Sequence, residues 1–184
     1  MRAISAFMNG ITRLNKAIGV AVAFLIFAIF VFILLEVFLR YLFNAPTVWT
    51  NELTQLIFGV YAVLSGGYLL VYRGHVNVDL FYGMFSRRGQ AIVDVFTSVL
   101  FFVFVLALLY FGIDMARDSM SNWETSFSAW NPPIWPVKLC IPLGAALLLL
   151  QGIVKLLEDI AIACNLSYYR PEDEPEQDPK GEQL

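Results

Sequence analysis

The sequence predicts an all-α integral membrane protein with four transmembrane helices. Four runs without a charged residue carry this prediction, at residues 17–35, 53–72, 95–113 and 139–154. A helix needs about 20 apolar residues to cross the hydrocarbon core of a bilayer, and flanking lysine side chains can lengthen the shortest run by reaching the headgroups. Charged residues make up 15% of the chain, against about 25% in a typical soluble domain.

The first span, which we place at residues 17–43, is preceded by a segment of mixed character. Phe7 and Ile11 belong to a series of apolar residues at helical spacing, and Arg13 and Lys16 stand beside that series. The pattern favours a short N-terminal amphipathic helix in the membrane interface, or a plain extension of the first span.

The second span, at residues 52–72, carries a stripe of small residues. Gly59, Ala62 and Gly66 fall three and four positions apart, so they share one helix face. Small residues let helix backbones approach closely in lipid. The stripe serves packing within this chain or against a helix of a partner.

His75 and Asp79 stand four positions apart in the connection after the second span. Apolar and aromatic neighbours indicate that this segment is partly buried at the membrane surface. The pair is expected to form a histidine–carboxylate hydrogen bond or to belong to a network of structural or subunit contacts.

The third span, at residues 92–116, leads into a long aromatic connection. Trp130 and Trp135 suit the headgroup level of a membrane, and Pro132 and Pro133 prevent an uninterrupted helix. We expect an interfacial helix or a structured hairpin on the outer membrane face. It acts as a simple anchor, as a docking surface for a partner, or as both.

The fourth span, at residues 137–163, completes a membrane domain that covers residues 1–167. The remaining residues, 168–184, are rich in proline and carry six acidic residues and two basic residues. Such a segment buries too little apolar area to offset the entropy of ordering, so we expect a disordered acidic tail.

The distribution of basic residues predicts the topology. The two termini and the second connection together hold nine Lys and Arg residues, and the first and third connections hold three. Because basic residues favour the cytoplasmic side, both termini and the tail are expected to be cytoplasmic, in a bacterial inner membrane.

Little in the sequence points to chemistry. The chain has one histidine, shows no metal-ligand spacing or catalytic motif, and keeps its charges at the ends of the spans. We therefore expect no enzyme activity, no cofactor and no nucleic-acid partner, with membrane lipids as the surroundings. One alternative is a self-sufficient small four-span transporter. Such a transporter would need a glutamate embedded in the membrane, and the candidate, Glu36, lies at the edge of a span. A non-transport membrane assembly protein is the other alternative.

Charged and aromatic residues gather around the first connection. Glu36 and Arg40 stand four apart on one helix, which allows an ion pair. Trp49 and Glu52 follow after a short turn. These residues are either exposed groups at the membrane edge that add little to stability, or they contact another subunit.

Three segments together resemble the DctQ-type small membrane subunit of tripartite ATP-independent periplasmic (TRAP) transporters. The first is RYLFN at residues 40–44, followed by Pro46, Trp49 and NEL at 51–53. The second is HVNVD at 75–79, and the third is WPVKLCIPLG at 135–144. Asn51 stands where the family often has a second acidic residue.

This resemblance implies a three-part transport system for an organic anion. It implies a periplasmic substrate-binding protein, and a large multi-span subunit that moves as an elevator and holds the substrate and sodium sites. The small subunit would scaffold the large one and help to dock the binding protein. Subunit-contact or network roles are then expected for Arg40, Trp49, Glu52, His75 and Asp79, and periplasmic-face roles for Trp130 and Trp135.

Overall fold

Five helices make up most of the computed structural model, which describes residues 2–72 and 87–164. They are α1 (Arg2–Ala23), α2 (Leu25–Tyr41), α3 (Thr50–Val71), α4 (Arg87–Ser121) and α5 (Trp135–Ala163). Four helical segments are long and apolar enough to cross a membrane, with α1 and α2 counted as one. The predicted four-span, all-α fold is confirmed. His75, Asp79 and the acidic tail lie outside the described residues.

The first helical segment is interrupted only at Phe24. The backbone there stays in the right-handed helical region (φ −64°, ψ −20°), and the Phe27 N–H donates to the Phe24 carbonyl at 3.1 Å. The candidate span Ser5–Tyr41 holds 37 residues. That length corresponds to about 55 Å of helix, well beyond a hydrocarbon core of about 30 Å. The whole segment is therefore too long to lie within the hydrocarbon as one straight helix, and the choice between an interfacial helix and an extension of the first span for α1 stays a prediction.

The helices form an open row rather than a closed bundle. Within the described residues, α2 packs along α3, α3 along α5, and α5 along α4, while α1 packs on α3 and α5. The outer helices of the row are accordingly exposed: α2 has no buried residue. On α4, Phe96 is 74% exposed and Leu100 is 75% exposed.

Two connections lie at the same end of this row. Residues 42–49 join α2 to α3, and residues 122–134 join α4 to α5; they contact each other through Trp49 and Trp130. We call this end the loop end. From Trp135, at the loop end of α5, Lys155 is 20 residues further along the helix, or about 30 Å away.

Of the two forms expected for the third connection, the structure shows the hairpin, and no helix forms within residues 122–134. Residues 122–134 instead make a compact hairpin with a bridge between Thr125 and Pro133. The Ile134 N–H donates to the Glu124 carbonyl at 3.0 Å, which closes its base. Pro132 and Pro133 have no backbone N–H, so they cannot continue a helical ladder.

The three small residues of α3 differ in how closely a neighbouring helix approaches them. A Cβ at Gly59 or Gly66 would meet α5 side chains at an ordinary 3.5 Å, whereas Ala62 is exposed. A much closer approach occurs at Gly144 of α5, where a Cβ would lie 2.7 Å from the Val63 carbonyl oxygen of α3. The role of the Gly59–Ala62–Gly66 stripe in packing stays a prediction.

Candidate functional site at the loop end

Glu36 ties the end of α2 to the following connection. Its Oε1 accepts from Arg40 Nη2 at 2.5 Å and from Arg40 Nε at 3.0 Å. Its Oε2 accepts from the Thr47 hydroxyl at 2.5 Å and from the Thr47 N–H at 3.3 Å. The side chain of Glu36 is 14% exposed and that of Arg40 is 52% exposed. The Glu36 carboxylate is therefore occupied by hydrogen bonds within this chain, whereas about half of the Arg40 side chain stays exposed.

Hydroxyl groups carry the same network into α3. The Thr47 hydroxyl contacts the hydroxyl of Thr50, which is fully buried. The Thr54 hydroxyl donates to the Thr50 carbonyl at 2.8 Å. The first connection is thus fixed to the first turn of α3 by polar contacts.

Trp49 joins the two connections through aromatic contacts. Its ring meets Phe32 of α2 edge-on at 6.0 Å and meets Trp130 of the hairpin at 6.4 Å between centroids. Such geometries are the favourable ones for aromatic pairs. Trp49 therefore holds α2, α3 and the hairpin together.

Glu52 makes a polar contact across the same junction. Its Oε2 accepts a hydrogen bond from the Ser128 hydroxyl at 2.6 Å. Ser128 is held in turn, because its oxygen accepts from the Asn131 N–H at 2.9 Å. The hairpin is thus connected to the first turn of α3 by the Ser128–Glu52 hydrogen bond and to the residue before that helix by the Trp49–Trp130 contact.

A second ion pair secures the hairpin to α5. Lys138 Nζ lies 2.5 Å from Glu124 Oε2, and this hydrogen bond holds the pKa of Glu124 below its usual range. Trp135 packs edge-on against Trp123 at 5.6 Å on the same side. The hairpin is anchored at both of its ends, so it presents a fixed surface.

The structure brings four of the predicted site residues together: Arg40, Trp49, Glu52 and Trp130 lie at the loop end. Trp135 lies at the same end, but its aromatic partner is Trp123 rather than this group. The subunit-contact or network roles of Arg40, Trp49 and Glu52 stay predictions. So do the periplasmic-face roles of Trp130 and Trp135.

The residues that build the site also include some that sequence reasoning missed. Thr47 and Ser128 supply hydroxyls to the two carboxylates. Small polar residues in a connection carry no distinctive signal, since most of them simply face water.

Far from the loop end, buried Asn15 donates to Gln151 Oε1 at 3.2 Å. Polar residues within apolar helices are a signal that could have found this pair.

The fold and the site define a class of protein: a multi-pass membrane protein with an open row of helices and a rigid loop end. Charged residues lie toward the two ends of the described helices, and residues 17–35, 53–72, 95–113 and 139–154 between them carry none. Among the described residues, no three His, Cys, Asp or Glu side chains stand close enough to hold a metal ion.

Comparison with known proteins gives the family. The family model "Tripartite ATP-independent periplasmic transporters, DctQ component" matches residues 29–162, which is most of the chain. The chain belongs to this family of transport components, and the resemblance seen in the sequence is confirmed.

One curated relative is the sialic acid TRAP transporter permease protein SiaT of Haemophilus influenzae (strain 86-028NP). It is 25% identical over 112 residues, which cover 61% of this chain. The match spans 18% of the relative's length, so this chain is similar to a small part of a much longer permease.

Proposed function

We propose that this chain is the non-catalytic small membrane subunit of a sodium-coupled, binding-protein-dependent secondary transporter for an organic anion. In this role it scaffolds a large elevator-type subunit and contributes a docking surface for a periplasmic substrate-binding protein. It needs no cofactor of its own, since sodium and substrate bind to the large subunit. Its site of action is the inner membrane of a bacterium.

The open row of helices is the observation that carries this proposal. A transporter encloses polar or ionisable groups near the middle of the membrane, where they bind ions or substrate. Here the described helices place their charges toward two levels about 30 Å apart. The exposed apolar faces of α2 and α4 suit contact with lipid or with the helices of a larger subunit.

The length of the relative supports a division of labour. SiaT is a TRAP transporter permease protein, and the region similar to this chain is less than a fifth of it. A separate large subunit would supply the remainder for this chain. Sialic acid carries a carboxylate, which agrees with an organic anion as the class of substrate.

The loop end is the proposed periplasmic face. The excess of basic residues at the opposite side argues that both termini are cytoplasmic. Cysteines placed one at a time at Phe127 in the hairpin and at Glu158 near the end of α5 test this orientation. A membrane-impermeant thiol reagent applied to intact spheroplasts should label Phe127→Cys and leave Glu158→Cys unlabelled, with the native cysteines replaced by serine. The reverse pattern would contradict it.

Reconstitution tests the function. Liposomes with this chain, its large subunit, the binding protein and a sodium gradient should take up the organic anion. Liposomes with this chain alone should show no uptake, and those without this chain should show much less than the full set. Uptake by this chain alone would overturn the proposal and favour a self-sufficient transporter.

Copurification tests the site. Arg40→Ala and Glu52→Ala are each expected to lower recovery of the large subunit on an affinity-tagged small subunit, while the four-span topology persists. Arg117→Ala is the matched control, because Arg117 is an exposed arginine of α4. Equal recovery with all three variants would remove Arg40 and Glu52 from the contact.

A further inference from the structure

Phe127 in the hairpin combines an exposed aromatic ring with an unfavourable backbone conformation. The residue is 85% exposed, and its φ of 55° lies in the left-handed region, which side chains with a Cβ rarely adopt. Among the described residues, Asn44 and Asn131 share this conformation, but asparagine tolerates it. Trp123 shares it too, and its ring packs against Trp135. Neither residue type nor packing within this chain accounts for Phe127.

Hydrogen bonds hold the backbone of Phe127 in this conformation. The Phe127 N–H donates to Asn131 Oδ1 at 3.0 Å. The residue before it, Ser126, donates its N–H to the Pro132 carbonyl at 3.0 Å, and the residue after it, Ser128, is held by the contacts described above. The ring is therefore presented from a fixed turn, so little conformational entropy is lost when a partner covers it. A strained residue held in place by its surroundings is a frequent feature of functional sites.

The surroundings of the ring favour a protein in water as its partner. The neighbours Ser126 and Ser128 are polar, and so is exposed Asn131; we call these three residues the polar rim. A segment that inserts into lipid presents several apolar side chains side by side. One aromatic side chain within a polar rim is instead typical of a hot spot in a protein–protein interface. The large subunit would meet the broad apolar faces of α2 and α4, whereas a single aromatic contact suits a partner that binds reversibly.

We propose that Phe127 is the residue by which the small subunit holds the periplasmic substrate-binding protein. The ring enters a shallow apolar pocket on the surface of that protein, and the polar rim stays hydrated around it. This inference rests on the proposed function and on the periplasmic placement of the loop end. Because the ring is 85% exposed, it adds little to the packing of this chain, so binding and folding can be tested separately.

Uptake by liposomes that hold the small and large subunits tests the proposal. The rate is measured at increasing concentrations of the substrate-loaded binding protein. Phe127→Gly should raise the half-saturating concentration of the binding protein by at least about tenfold and leave the maximal rate unchanged. Phe127→Tyr should stay within about twofold of wild type, because it keeps the ring.

Two controls separate binding from folding. Glycine adopts a positive φ freely, and this relief offsets the greater freedom of the unfolded chain, so Phe127→Gly should melt within about 2 °C of wild type. Phe43→Ala is the matched control, because Phe43 is an exposed phenylalanine at the same end, beside apolar Leu42. It should leave the half-saturating concentration unchanged.

The outcomes distinguish this inference from the proposed function. If wild type and Phe127→Gly are saturated by the same concentration of binding protein, the role of Phe127 is refuted and the proposed function stands. If uptake by wild type does not depend on the binding protein, the proposed function fails and this inference fails with it. A lower melting temperature with a lower maximal rate would show a structural role instead. Reduced recovery of the large subunit with Phe127→Gly would assign the contact to that subunit and overturn the proposal.

Discussion

The closest backbone approach between α3 and α5 gives a sharp test of how the row is held together. At Gly144, an added Cβ would lie 2.5 Å from Val63 Cγ1 and 2.7 Å from the Val63 carbonyl oxygen. Ordinary contacts between carbon atoms fall near 3.5–4.0 Å, so Gly144→Ala must push the helices apart locally by about 1 Å. Because a carbonyl oxygen belongs to the backbone of α3, a change of side-chain rotamer cannot relieve this contact.

Overpacking of this kind costs about 1–3 kcal/mol. The usual gain in helix propensity from Gly to Ala is small here, since a lipid-embedded chain satisfies its backbone by staying helical even when the helices separate. We therefore expect Gly144→Ala to destabilise the protein by about 1–3 kcal/mol. Gly66→Ala lies on the same interface, and its Cβ would meet Leu148 Cδ1 at 3.5 Å. That control should change stability by less than about 0.5 kcal/mol.

Thermal unfolding followed by tryptophan fluorescence measures the difference in stability between Gly144→Ala and Gly66→Ala. All four tryptophans lie at or beside the loop end, so their fluorescence reports the loss of structure there. Adding Val63→Ala to Gly144→Ala should restore only part of the stability, since it removes Cγ1 but leaves the carbonyl in place. Equal melting temperatures for Gly144→Ala and Gly66→Ala would refute the close approach of α3 and α5.

Three further changes probe the polar contacts. The ion pair between Glu124 and Lys138 stabilises the fold only while the Glu124 carboxylate is charged. The stability of the protein should therefore fall as the pH drops from the ordinary carboxyl pKa through the lowered pKa of Glu124. Melting curves of Lys138→Met against pH should show a weaker dependence, and an unchanged profile would exclude the pair as its cause. A double-mutant cycle of Asn15→Ala and Gln151→Ala should give a coupling of about 0.6 and at most about 1.7 kcal/mol, read from unfolding in mixed micelles; strict additivity would contradict the hydrogen bond. Ser128→Ala should raise protease cleavage within the hairpin while leaving helix content by circular dichroism unchanged. A hairpin equally resistant to protease would argue that the hydrogen bond from Ser128 to Glu52 does not help to secure it.

Some of the candidate site was already visible in the sequence. The four-residue spacing of Glu36 and Arg40 predicts their ion pair, since residues at that spacing share a helix face. Their partner Thr47 was missed, because a threonine eleven positions away in a turn has many possible orientations. Glu52 was selected for its position in a short segment, but its contact with Ser128 joins residues 76 positions apart. No pattern within one segment could reveal that contact.

The sequence by itself determined the four spans and the family, because hydropathy is a sum over neighbouring residues and the family motifs are local. It also left open where the first residues lie, and only the tertiary structure placed α1 against α3 and α5. Only the tertiary structure decided the order of helices in the row, the hairpin form of residues 122–134 and the close approach at Gly144 rather than at Ala62. In lipid, apolar side chains gain little by leaving their surroundings, so helix packing depends on the shapes of facing surfaces. Composition does not record those shapes.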